Sequence, residues 1–173
     1  PNGIWTAPSD KDLKNDIILS MKAGFNGARL HEKVFEDRFH YWADKLGYIT
    51  WAEFPNWGMN ENAKASETYF LREWPRIVNY LKNHPSIITW TPFNETNTLE
   101  CNAQHKKLMR IAYDVTKKID PTRPVNETSG YQHQKTDIWT VHNYEPIPEK
   151  LNKALNPKKG VYRNFPHFET RYK

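Results

Sequence analysis

Residues able to do chemistry recur in this chain just after short apolar runs. His31 follows the run 25–30, Glu53 and Trp57 close and follow 48–54, and Asn94 and Glu95 follow 86–91. Glu127 follows 124–126, and His142, Asn143 and Tyr144 follow 137–141. A carboxyl group held beside a leaving or attacking oxygen can act as acid and then base. Glu95 and Glu127, each in an Asn-Glu-Thr triplet, are the carboxylates best placed for such work. Both triplets also satisfy the N-glycosylation pattern, which is read here as coincidence. His31 and His142 with Glu53 could suggest a metal, but single scattered histidines more often hydrogen-bond than ligate. The single cysteine, Cys101, leaves no internal disulfide or cysteine-based zinc cluster, so neither metal nor cofactor is expected. Trp57, in a predicted loop, is a candidate stacking platform, whereas Trp51 and Trp90 fall inside predicted strands and read as core.

The elements that must position these residues alternate. Ser9 with Asp12 makes a helix start, Leu13, Ile17, Ile18 and Met21 share one face, and Gly24 is the stop. Phe35, Phe39, Trp42, Ala43 and Leu46 predict a second helix ending at Gly47. Phe70, Trp74, Ile77, Val78 and Leu81 predict a third, with Pro75 either kinking it or marking its first turn. Leu108, Ile111, Ala112, Val115 and Ile119 predict a fourth, 147–155 a short fifth, and the tail from Asn156 is irregular. Between them, 25–30, 48–54, 86–91, 124–126 and 137–141 read as strands. Such alternation implies parallel strands with right-handed crossovers, in a doubly wound sheet or a barrel. The absence of a glycine-rich phosphate loop weakens the nucleotide-binding version of the former. In a barrel, the residues above would gather at the C-terminal rim.

Composition narrows the partners. Twelve prolines and 14% aromatic residues in 173 describe a packed, loop-rich protein rather than a disordered one. The net charge of +5 is spread out, and its densest groups are only the pairs Lys106-Lys107, Lys117-Lys118 and Lys158-Lys159. These read as solvated faces, so no nucleic-acid partner is expected. No run approaches the length of a membrane span, and the first residues lack the regions of a signal peptide. No membrane partner is expected; if a longer parent is exported, its signal lies elsewhere and its compartment stays open.

Several runs carry a family resemblance. They are Thr6-Ala7-Pro8-Ser9-Asp10, Gly24-Phe25-Asn26-Gly27-Ala28-Arg29-Leu30-His31, Tyr41-Trp42-Ala43-Asp44-Lys45-Leu46-Gly47, Asn83-His84-Pro85-Ser86-Ile87-Ile88-Thr89-Trp90, Asn94-Glu95 and Val141-His142-Asn143-Tyr144. In order and spacing this set resembles the TIM-barrel domain of glycoside hydrolase family 2, to which β-galactosidases, β-glucuronidases and β-mannosidases belong. An Asn-Glu dipeptide alone is weak evidence; one closing a His-Pro-Ser-Ile-Ile-Thr-Trp strand, with the upstream runs in register, is strong.

The resemblance implies a parallel (β/α) barrel, with residues 1–173 covering about strands 2 to 6 of eight. It implies a retaining exo-β-glycosidase, β-galactosidase-like, with a carbohydrate substrate. Glu95 would be the acid/base and Asn94 would hold the sugar 2-hydroxyl. Arg29 and His31 would lie below and beside the substrate, and Tyr144 would hydrogen-bond the nucleophile. Trp57 and His142 complete the expected binding residues. The family's nucleophile, a glutamate in a Glu-(Phe or Tyr)-Gly-Gly stretch on the seventh strand, has no counterpart here. Glu169 lacks that context and reads as loop. The chain is therefore expected to be inactive alone, as part of a larger enzyme or, alternatively, as a non-catalytic carbohydrate-binding remnant.

Overall fold

Ser9 opens the first helix by accepting the Asp12 N–H on its hydroxyl, satisfying one of the donors a helix start leaves unpaired. This helix, α1 (Asp10–Lys22), leads to strand β1 (Gly27–Arg29), helix α2 (Asp37–Leu46) and strand β2 (Ile49–Glu53). Helix α3 (Lys64–Leu81), strands β3 (Ile87–Thr91) and β4 (Phe93–Thr96), helix α4 (Ala103–Ile119), strand β5 (Thr128–Tyr131) and helix α5 (Pro148–Leu155) follow. The structure is a computed structural model that describes residues 7–96, 101–156 and 158–160. No helix among them is long and apolar enough to cross a membrane.

Strands β1, β2 and β3 form one parallel sheet in chain order, and β4 and β5 form a second parallel pair. A parallel bridge from Trp90 to Val125 joins the two. Gly27 makes the first pairing possible, because a Cβ there would lie 2.5 Å from the Ile49 carbonyl oxygen. Two apolar clusters hold helices to strands. Leu13, Ile17, Leu30, Phe39, Ala43 and Tyr48 seal α1 and α2 against the first strands. Phe54, Phe70, Trp74, Trp90, Phe93 and Leu108 are among those sealing α3 and α4 against β2, β3 and β4. Within the second cluster the Trp74 indole donates to Thr116 Oγ1 at 2.7 Å, so its polar edge is not stranded.

The predicted helices are all present, and α3 absorbs Pro75 in its interior rather than starting or ending there. The strands depart from expectation in three places. Pro92 has no N–H to offer a ladder, so the strand beginning at Ile87 breaks there and resumes as β4, which carries Asn94 and Glu95 on a strand instead of a loop. At 124–126 only Val125 pairs, and the ladder lies downstream at Thr128–Tyr131. Segment 137–141 is not a strand. Its Asp137 N–H donates to the Val125 carbonyl at 2.8 Å, and side chains take others: the Thr140 N–H donates to His133 Nε2 at 3.1 Å, and the Ile138 N–H to Thr136 Oγ1 at 3.3 Å. The expected fifth neighbour in chain order is thus absent, and the described strands do not close into a barrel.

Candidate active site

Arg29, the last residue of β1, ties the strand ends together. Its guanidinium donates to both oxygens of Glu53, the fully buried last residue of β2, at 2.6 and 3.3 Å. It also donates to Asn94 Oδ1 at 2.7 Å and to Ser129 Oγ at 2.8 Å, and lies 3.2 Å from His142 Nε2. His31 Nδ1 lies 2.5 Å from Arg29 Nη2, and a planar fork of donors suits this task, since one charge orients five neighbours at once. Glu53 compensates that charge and accepts the Glu32 N–H at 3.0 Å. Both carboxylate oxygens of Glu53 are therefore occupied before any ligand arrives.

Glu95 stands on β4 with φ at 48°, a left-handed backbone that few residues other than glycine adopt. Its Oε1 faces His142 Nδ1 at 2.5 Å and accepts the Tyr144 hydroxyl at 2.8 Å. Burial pushes its carboxyl pKa up, but the His142 and Tyr144 hydrogen bonds and the positive charge of Arg29 outweigh this and hold it below the usual carboxylate range. Beside it, the Asn94 N–H donates to Asn56 Oδ1 at 2.8 Å. With Oδ1 of Asn94 engaged by Arg29, its buried amide nitrogen has no partner. It can act only as a donor.

Every residue expected at the site, namely Arg29, His31, Trp57, Asn94, Glu95, His142 and Tyr144, lines one cavity of about 550 Å³. Trp57 is 63% exposed there, set edge-on to the His31 ring at 5.9 Å, and its N–H donates to Glu32 Oε2 at 2.9 Å. Trp90, by contrast, is fully buried core, with its indole donating to Asp120. Glu127 is also fully buried and serves as an acceptor for His133 Nδ1 and for the backbone of Thr128, Gln134 and Lys135. Glu169 lies outside the described residues.

Three contributors take roles the sequence does not show. Glu53 is marked there as a strand-end carboxylate and a possible metal ligand, but not as the partner of Arg29. Ser129 gave no signal, and neither did Glu32, whose φ of 53° is visible only in the fold. His31, Glu32 and Glu53 offer ligand atoms within 4.8 Å of one another, the one such group among the described residues. Arg29 already neutralises Glu53, and the backbone N–H of Trp57 takes Glu32 Oε2, while the buried Glu32 Oε1 has no hydrogen-bond partner among the described residues.

Comparison with known proteins agrees with the geometry. Residues 7–172 match the family described as glycosyl hydrolases family 2, TIM barrel domain. A β-galactosidase from Psychromonas ingrahamii is 33% identical over 158 residues, covering 86% of this chain and 14% of that protein. A β-glucuronidase from Sus scrofa is 26% identical over 141 residues, covering 76% of this chain and 21% of that protein. Among solved structures, Bacteroides uniformis β-glucuronidase 2, covalently bound to cyclophellitol-6-carboxylate aziridine, superposes with a TM-score of 0.60 at 26% identity, covering 72% of this chain and 16% of that one. Parabacteroides merdae β-glucuronidase shares the fold over 92% of this chain and 21% of its own, with a TM-score of 0.72 at 17% identity. The chain thus spans about a fifth or less of the length of these relatives. It belongs to the TIM barrel domain of glycosyl hydrolases family 2.

Proposed function

We propose that this chain supplies the acid/base half of a retaining exo-β-glycosidase site, β-galactosidase-like, within barrel strands 2 to 6. The observation that carries the reading is the setting of Glu95. Two donors hold its Oε1 while Oε2 has no partner among the described residues, at a cavity that also presents the Asn94 amide and the Trp57 face. In the first step Glu95 gives a proton from Oε2 to the glycosidic oxygen as a second carboxylate attacks the anomeric carbon and the C–O bond breaks. In the second, Glu95 takes a proton from water as that water displaces the carboxylate, restoring the starting configuration. Asn94 donates to the sugar 2-hydroxyl, Trp57 stacks on the ring, and Arg29 and His31 support it from below and beside.

The second carboxylate must lie about 5 to 5.5 Å from Glu95. Among the described residues none fits: Glu53 is spent on Arg29 and Glu127 is buried in its own network. We therefore place the nucleophile outside the described residues, and Tyr144, which here donates to Glu95, would be shared with it. Its arrival also answers an electrostatic question. As it stands, Glu95 favours the carboxylate form, whereas the first step needs the acid; a second negative charge nearby raises its pKa.

The test is Glu95→Gln in the full-length protein. Substrates with poor leaving groups should lose about a hundred- to ten-thousand-fold in kcat/KM, and activated aryl β-glycosides far less. Equal losses on both would exclude an acid/base role. The second reading, a carbohydrate-binding remnant without catalysis, draws on the same exposed Trp57 and on the lack of a second site carboxylate among the described residues. It predicts sugar binding with no turnover of any aryl β-glycoside by the full-length protein.

A further inference from the structure

The ring of His142 lies against the backbone at Gly130. A Cβ at Gly130 would meet its Cγ and Cδ2 at 3.0 Å and its Nδ1 at 3.2 Å. Gly130 itself holds φ at 78°, and its N–H donates at 2.8 Å to Oγ1 of Thr140, two residues before His142. One residue thus supports the ring and anchors the chain that carries it. The far edge of the ring is equally constrained. Nε2 lies 2.9 Å from Ser129 Oγ and 3.2 Å from Arg29 Nη1. A guanidinium can only donate, so it faces a lone pair. Arg29 Nη1 also donates to Ser129 Oγ, whose own proton can then point at the same nitrogen. The Arg29 contact puts a lone pair on Nε2 and the ring proton on Nδ1, where Glu95 Oε1 accepts it at 2.5 Å.

We infer that Gly130, Ser129 and Arg29 form a seat that fixes His142 in its Nδ1–H tautomer, making it a standing hydrogen-bond donor to Glu95. Gly130 and Ser129 are positioning residues that act on Glu95 through the imidazole. The seat leads from the buried Glu53–Arg29 pair through Ser129 and His142 to the carboxylate at the cavity. A donor that cannot turn away favours the charged form of Glu95, the form that receives a proton from water. This last consequence rests on the acid/base reading above; the tautomer does not.

Ring-nitrogen NMR of the histidine-labelled 173-residue chain tests it, with His142→Gln identifying the resonances. The wild type should show Nδ1 protonated and Nε2 bare. In Gly130→Ala the added methyl lifts the ring, so the proton should move largely to Nε2, its preference in an unconstrained imidazole, and the titration midpoint of Glu95 should rise. Gly47→Ala is the control for backbone strain, because Gly47 also has positive φ, at 68°, but nothing lies within 4 Å of its added Cβ. It should move neither signal. Ser129→Ala removes one lone-pair partner without any collision and should raise the Nε2–H fraction, which keeps the test open if Gly130→Ala does not fold. A wild-type ring protonated on Nε2, or unchanged tautomer and Glu95 midpoint in both Gly130→Ala and Ser129→Ala, would overturn the inference. These spectra do not depend on turnover, so failure of the glycosidase reading would leave them as they are.

Discussion

The two halves of the chain hold their site residues by different means. In β1, β2 and β3 the main chains pair with one another in a parallel ladder, and Arg29 and Glu53 are delivered at strand ends whose positions the ladder sets. From Val125 to Tyr144 strand pairing is confined to β5 and one bridge, and side chains do most of the joining beside a few main-chain bonds such as that from the Asp137 N–H to the Val125 carbonyl. Glu127 gathers His133, Gln134 and Lys135, Asp137 accepts the Val125 N–H at 2.9 Å, and Thr140 accepts that of Gly130. A ladder tolerates many sequences, because any non-proline residue supplies its donors. A side-chain clamp needs particular residues, so single substitutions should reach His142 and Tyr144 far more easily than Arg29.

The largest effect should come from breaking the junction of the halves. Arg123 donates to the carbonyls of Lys82, His84 and Ile87 and pairs with the buried Asp120 at 2.7 Å. Arg123→Met removes a charged donor from those carbonyls and the counter-charge from Asp120, which keeps only its Thr122 and Trp90 donors, and should cost about 3 kcal/mol in urea unfolding. Next is Glu127→Gln, which puts an amide donor where donors already converge. A loss of about 2 kcal/mol is expected. Hydrogen exchange should quicken over 126–142 while 49–53 keeps its protection; equal quickening in both would erase the distinction between ladder and clamp.

The smallest effect concerns pH. Glu67 on α3 accepts from Lys64, from Gln104 and from Lys107, which holds α3 to α4, and these bonds lower its pKa from the usual carboxylate value to about 2. A carboxyl whose folded pKa is depressed contributes stability that is present above its unfolded pKa and lost as pH falls through the folded one. Glu67→Gln should therefore flatten the acid limb of the stability curve between its ordinary value and about 2, and leave the slope near neutrality alone. An unchanged acid limb would mean that these surface contacts carry no net weight.

Legibility from sequence follows the same division. Helices with a single apolar stripe and an end signal, such as Ser9 and Gly47, were readable because cap and stripe are local properties. The first three strands were readable for the same reason. Pro92 was visible but not its effect, since the sequence does not say on which side of a proline a ladder resumes. Segment 137–141 carries the β-branched and aromatic pattern of a strand, yet the Thr136 hydroxyl turns the chain locally at Ile138, while His133 and the Val125 carbonyl take N–H groups of Thr140 and Asp137 from positions that only the fold brings near. At the site, Glu95, Asn94, Arg29, His142 and Tyr144 were marked by family spacing. Ser129 and Gly130 were not, because a hydroxyl and a missing Cβ become informative only once a ring lies against them.

The functional reading turns on Glu95 moving the proton at the departing and attacking oxygens. Full-length Glu95→Gln protein should be assayed on an activated aryl β-glycoside with and without sodium azide. If Glu95 is the acid/base, azide needs no deprotonation and should replace water in the second step, restoring turnover and yielding the β-glycosyl azide. Turnover unmoved by azide, with no β-glycosyl azide formed, would contradict the account.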